Sequence, residues 1–299
     1  MLRRLPTATS LAVSLAGLFA GVAFASGPGA IDPEVANRHT NLAKQQSMLV
    51  QQIAKSACFA TLGVNASAQM RYLAGAFDLY SRTNQGLRNG NAALGLVEEQ
   101  HPNMIQALDE VARDGARWTA QATAAARSRG VVSDQAMITL VEQGDRLLPL
   151  TQALGERAGR TYGANNGVPL AQTLRIDLAA RQRLLSQSMA KSFCLVAKGY
   201  RADHYRDELA EAVTLFDTSL GALIDGFESF GLQAETEPTR LARLDAVRDA
   251  WSEIRPAMLA VAGGATPSED QIASVAWANN VVLSLSNAAV FAYETAPAS

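Results

Sequence analysis

The chain has 299 residues, 48% hydrophobic and only 18% charged, enough for one large domain or two ordinary ones. Lysine plus arginine number 26 against 28 acidic residues. That net charge of −2, with no basic block, excludes the phosphate neutralisation on which duplex binding rests, so no nucleic-acid partner is expected.

Residues 1–25 read as a secretory signal: Arg3 and Arg4 form a positive n-region, Leu11 to Phe24 an apolar h-region, and Ala23-Phe24-Ala25 a small-x-small cleavage pattern. The competing reading is an uncleaved N-terminal anchor, although the h-region falls short of the ~20 residues that span a bilayer comfortably. No lipid-acceptor cysteine follows, and no later run is expected to cross a membrane. The expectation is a periplasmic or secreted protein, cut after Ala25 and soluble thereafter.

Helical periodicity runs through the rest. The first half carries stripes near 36–62, 68–89, 103–129 and 134–159. In the second half Leu178, Leu185, Met189 and Val196 mark one helix, closed by Gly199. Leu209, Val213, Phe216, Leu220 and Leu223 mark the next, up to Gly226. Leu244, Val247, Trp251 and Ile254 mark the third, and a fourth starts at Pro267-Ser268-Glu269-Asp270.

A shift of 136 residues superposes the halves. Gln46 falls on Gln182, Gln51 on Gln187, Ala54-Lys55-Ser56 on Ala190-Lys191-Ser192, Cys58 on Cys194, Gly63 on Gly199 and Gly90 on Gly226. The fold class expected is therefore all-α: two tandem up-down four-helix bundles, residues 30–162 and 169–296, related by internal duplication. The boundary falls in the turn-rich stretch 162–169.

Gln46 and Gln182 lie on the apolar stripes, where a buried amide fixes packing register or meets something polar. Gln51, Gln187, Lys55 and Lys191 lie on a neighbouring face, with a solvated helix surface as their default reading. Cys58 and Cys194, the only cysteines, could join the two first helices in an oxidising compartment if the modules lie side by side. End-to-end modules would leave them as buried thiols, the arrangement favoured from sequence.

Chemistry has little to stand on. His39, His101 and His204 belong to no metal-ligand spacing, and neither a nucleophile elbow nor a phosphate-cradling glycine loop is present, so no metal, cofactor or catalytic residue is assigned. Glu98-Glu99 and Asp207-Glu208 are expected at helix ends or on exposed faces, and Trp118, Trp251 and Trp277 in the bundle cores.

The segment from Leu178 to Lys191, LAARQRLLSQSMAK, resembles the signature opening the PilJ/NarX-type sensory domain. Phe193-Cys194, Gly199, Leu215-Phe216, Leu223-Ile224-Asp225-Gly226 and Trp251 continue the likeness, which covers nearly all of the second copy and the first more faintly. The resemblance implies a ligand-sensing helical bundle of the kind found outside the membrane in type IV pili chemotaxis transducers and nitrate-sensing kinases. It also implies that Arg183 matches an arginine that helps bind the anion at a dimer interface. Ser47 stands at the equivalent place in copy one, and Ser188 and Gln52 stand where the family often has a second arginine, which speaks against simple nitrate sensing. Candidate ligand-binding residues are thus Arg183, Gln182, Gln187 and Gln46. The expectation is a freestanding, non-catalytic sensor for a small anion or other polar molecule, working with an envelope sensor or transducer. The alternative is a structural or envelope interaction scaffold.

Overall fold

The periodic stripes become helices, as the alanine-rich composition and the absence of period-two alternation require. The computed structural model describes residues 32–163 and 170–294, so the expected leader lies outside the described residues, as does most of the expected boundary loop. The elements are α1 (Pro33–Thr61), α2 (Ala66–Asn89), β1 (Gly90–Asn91), β2 (Leu96–Glu98), α3 (Pro102–Asp114), α4 (Ala116–Ala126), α5 (Asp134–Gly163), α6 (Leu170–Ala197), α7 (Ala202–Asp225), α8 (Pro238–Ala262) and α9 (Glu269–Glu294). Among the described residues the fold is all-α apart from the short antiparallel pairing of β1 with β2, two isolated bridges and two single 3-10 turns.

The first half packs α1 against α2 and α5, with α3 and α4 closing the ring. The second packs α6 against α7 and α9, with α8 closing it. The expected third helix of the first half, 103–129, is broken at Gly115. A Cβ there would stand 2.5 Å from the Val111 carbonyl and 3.0 Å from Leu147, so only glycine allows the chain to bend this tightly against α5.

The two halves share backbone detail at the 136-residue spacing. Asn65 and Arg201, which open α2 and α7, are the only described non-glycine residues at positive φ, 46° and 44°. Gly90 and Gly226 end those helices at φ 80° and 83°, where an added Cβ would meet backbone atoms of the following loop. Each loop then pairs antiparallel, Asn91 with Leu96 and Phe227 with Leu232.

Beyond each loop a buried glutamate accepts from backbone N–H groups of the segment leading into the next helix, α3 or α8. Glu99 Oε1 accepts from the backbone N–H groups of Gln100 and His101 at 3.0 and 2.9 Å. Glu235 Oε1 accepts from Thr236 and Glu237 at 3.1 and 2.9 Å. Glu99 was expected at a helix end or on an exposed face. It lies just before α3, but its side chain is enclosed, because it accepts from the Gln100 and His101 N–H groups and from Tyr162 beneath its own loop.

The modules are not end to end. Helices α1 and α6 lie side by side and parallel, tied by Arg183 to Asn41 near one end, Lys44 to Asp177 beside it and Cys58 to Cys194 near the other. Residues 32–294 consequently make one compact unit with a continuous core, of which α1 and α6 form the centre.

Helix α9 is long and apolar enough by composition to cross a bilayer, contrary to the expectation of no later candidate. Its apolar character has another use here: Val275, Val282, Ala289 and Val290 are buried against α6 and α8.

Candidate functional site

Each central helix is buried on two sides, once within its own bundle and once along the seam between the halves. The seam is correspondingly polar. Gln51, Lys55, Ser56, Ser186, Gln187, Lys191, Ser192 and Asn279 are all at most 1% exposed. Gln51, Gln187, Lys55 and Lys191 are therefore not the solvated surface expected from one amphipathic helix. The face that would be wet on an isolated bundle is covered by the other half.

Cys58 and Cys194 form a disulfide across the seam, with Cα atoms 6.2 Å apart. The thiol arrangement favoured from sequence is replaced, because parallel α1 and α6 bring these positions together.

The predicted ligand residues do not converge on one cavity. Arg183 crosses the seam, 4% exposed, and donates to Asn41 Oδ1 at 2.8 Å. Gln182 turns into its own bundle and donates to the Phe216 carbonyl at 3.3 Å and to Ser219 Oγ. Gln187 donates to Ser186 Oγ and to Asn279 Oδ1, each at 3.1 Å. Gln46 donates within α1 to the Leu42 carbonyl at 3.2 Å. The carbonyl oxygens of all three glutamine side chains find no partner among the described residues.

An open groove of about 600 Å³ runs where α1, α5 and α6 meet. Its floor is made of small residues, Ser47, Gly155, Gly159 and Ala180, and its walls carry Lys44, Arg160 and Arg181 against Glu156 and Asp177. Ser47 lies 136 residues before Arg183. On one flank of the seam a guanidinium bridges the helices, and at the corresponding place on the other a serine leaves room. The groove is within the size range of small-molecule sites, with one positive charge in excess.

At the disulfide end two lysines reach across the seam in opposite directions. Lys191 donates to Asp145 on α5 at 2.7 Å, lies 3.5 Å from Glu208, and stands over the Tyr205 ring at 5.2 Å. Tyr205 also donates to Asp145, at 2.9 Å; burial, then the negative charge of Asp145, push its phenol pKa well above the usual range. Lys55 donates to Asn279 at 3.1 Å and Asn280 at 2.8 Å, both on α9. Burial without an opposing charge lowers its pKa to about 7.

Sequence reasoning missed these two lysines as interior groups, although their shared offset was on view. Trp277, expected in a core, is 70% exposed on α9. Among the described residues no three His, Cys, Asp or Glu side chains gather as a metal site would require.

No curated protein and no solved structure matches this chain. Residues 171–276, from the first turn of α6 into α9, match the family model PilJ, described as the type IV pili methyl-accepting chemotaxis transducer N-term, and so carry a PilJ-type domain of the sensory class.

Proposed function

We propose that this is an exported, non-catalytic sensory protein in which two related helical modules within one chain pair as two subunits would, and that it binds a small polar ligand, most readily an anion, in the groove between α1, α5 and α6. The observation that carries the reading is the parallel seam joining the PilJ-type segment to the first half, with a groove one positive charge in excess opening on the flank where Ser47 stands at the position equivalent to Arg183. Ligand binding there would favour one spacing of α1 and α6 over another, a small population shift of the kind bundle sensors use. The two bundles at one fixed offset support descent from a duplication, and the N-terminal pattern of residues 1–25 supports export.

The test is a thermal-shift and calorimetric screen of the protein against oxyanions, carboxylates and amines, with Ser47→Arg beside the wild type. Saturating ligand at about 100 times its Kd raises stability by about 2.7 kcal/mol, several degrees in Tm. A hit that Ser47→Arg abolishes while the variant stays folded supports the groove. A hit untouched by Ser47→Arg and by Arg181→Ala overturns this location. No hit in any class overturns the small-ligand reading in favour of an interaction scaffold.

A further inference from the structure

A second groove, about 660 Å³, opens at the disulfide end between the α1–α2 turn and α9. It shares no lining residue with the groove described above. Tyr72 and Trp277, 42% and 70% exposed, stand along it, and Ile272 and Ala276 give it an apolar floor. Its polar lining includes Gln69 and Asn280. Gln69 is 2% exposed, and its side-chain oxygen has no partner among the described residues. Asn280 is the residue whose other side receives the Lys55 ammonium at 2.8 Å.

The corresponding place in the second half shows what is different. Gln69 becomes Tyr205 and Tyr72 becomes Glu208 at the 136-residue spacing, while the partner helix supplies Asp145 where α9 supplies Asn279 and Asn280. Lys191 thus has two carboxylates, and Tyr205 fills the space beside it. Lys55 has two amides and an open groove one side chain away. A buried ammonium needs a counter-ion or must give up its proton. Lys55 meets Asn279 and Asn280 from α9, and the groove on the far side of Asn280 is lined by the neutral Gln69 and Tyr72 of α2. The acidic residue on the groove lining is Glu269, exposed in the first turn of α9.

We propose that the groove over Lys55 binds a small monocarboxylate with an apolar or aromatic body, whose carboxylate supplies, through or in place of the Asn280 amide, the counter-charge that Asp145 and Glu208 give Lys191. The body lies against Tyr72 and Trp277. The exposed Trp277 of α9 then has a use, and a rotation of the Gln69 side chain, whose unpartnered atom is its acceptor oxygen, would present the N–H₂ to the ligand.

The experiment is titration of the full chain with phenylacetate, and with phenylacetamide as its uncharged match, followed by Trp fluorescence and by calorimetry in two buffers of different ionisation enthalpy. Phenylacetate is expected to bind saturably by about 10 mM and the amide about tenfold more weakly or not at all. Because the carboxylate favours the charged ammonium, binding at about pH 8 takes up protons from solution, and uptake fades by about pH 6. Lys55→Met removes both affinity and uptake. Tyr72→Glu, which copies Glu208, neutralises Lys55 from within and also removes the affinity while the protein stays folded. Equal binding of acid and amide, binding without proton uptake, or affinity retained in either folded variant overturns the proposal. So does the absence of a saturable response in the folded wild type.

Discussion

Lys191 sits between Asp145 and Glu208, while Lys55, 136 residues earlier, sits between the amides of Asn279 and Asn280. The buried glutamates beneath the two short hairpins differ in the same sense. Glu235 faces Arg240 at 3.1 Å, Arg175 at 4.0 Å and Tyr293. Glu99 faces His101 at 3.0 Å, His39 at 4.0 Å and Tyr162. His39 and Arg175 are again 136 apart. In the second half Lys191 and Glu235 each meet opposite charges, while Arg183 is held by the Asn41 amide. In the first half the corresponding Lys55 and Glu99 are held by amides and imidazoles. A shared framework can therefore be firmly set in one half and adjustable in the other, which suits a molecule whose two modules pair but need not do the same work.

Removing the link between the halves should have the largest effect. The disulfide closes a loop of 136 residues, and Cys58→Ser with Cys194→Ser should cost about 2–5 kcal/mol in urea unfolding. A loss well under about 1 kcal/mol would mean that the polar seam alone sets the pairing. Next comes Asp145→Ala, which leaves Lys191 with Glu208 only and removes the Tyr205 acceptor. A loss of about 3 kcal/mol is expected, as for other broken buried pairs.

The matching change in the first half should go the other way. Lys55→Met removes a buried cation that lacks a counter-charge, and should raise stability at pH 7 by about 1–3 kcal/mol after the lost amide bonds are discounted. Its folded pKa, about 7, lies below the ordinary 10.5, so the penalty it imposes is complete below about 7. It shrinks as pH rises and is gone above 10.5. The advantage of Lys55→Met should follow that course, read as the Tm difference from wild type across pH. A pH-independent difference would place the effect in packing rather than in charge.

How much of this was legible in the sequence depended on whether the signal was local. The helices and turns were, because glycine positions and apolar periodicity act within a few residues. Gly63, Gly90, Gly199 and Gly226 mark the ends of α1, α2, α6 and α7 where expected. The burial of Gln46 and Gln182 was also legible, from their place on the stripe. The seam was not. One amphipathic helix shows only the face it turns to its own bundle, so Lys55, Lys191, Gln51 and Gln187 looked solvated until a second bundle covered them. The enclosure of Glu99, though not its place beside a helix start, was missed for a related reason, since an acid there reads as exposed unless the preceding loop folds over it. Trp277 failed in the opposite direction: the period placed it on a helix, but nothing local says that a groove edge, rather than a core, holds the ring.

The smallest effect expected would sharpen the comparison most. Burial, opposed in part by the charge of Glu99, lowers the pKa of His39 below its ordinary 6.5. Its Nε2 accepts the Val97 N–H at 3.3 Å, a bond that protonation would break. The unfolded chain binds this proton before the native one does, so the stability His39 contributes is intact above about 6.5 and declines as pH falls below it. Glu235 behaves differently. Burial raises its pKa, but the Arg240 hydrogen bonds and the Glu237 N–H outweigh that and hold it below 4.5. Its contribution is present above 4.5 and is lost only as pH falls through the lower folded value. On acidification the hairpin at Asn91–Leu96 should therefore lose hydrogen-exchange protection before the one at Phe227–Leu232. His39→Gln, which keeps an acceptor for Val97, should remove the early loss and flatten the Tm profile by about a degree or two below pH 6.5. If both hairpins open together, or if the profile is unchanged in His39→Gln, the two buried glutamate clusters are energetically alike and the contrast between the halves rests on the lysines alone.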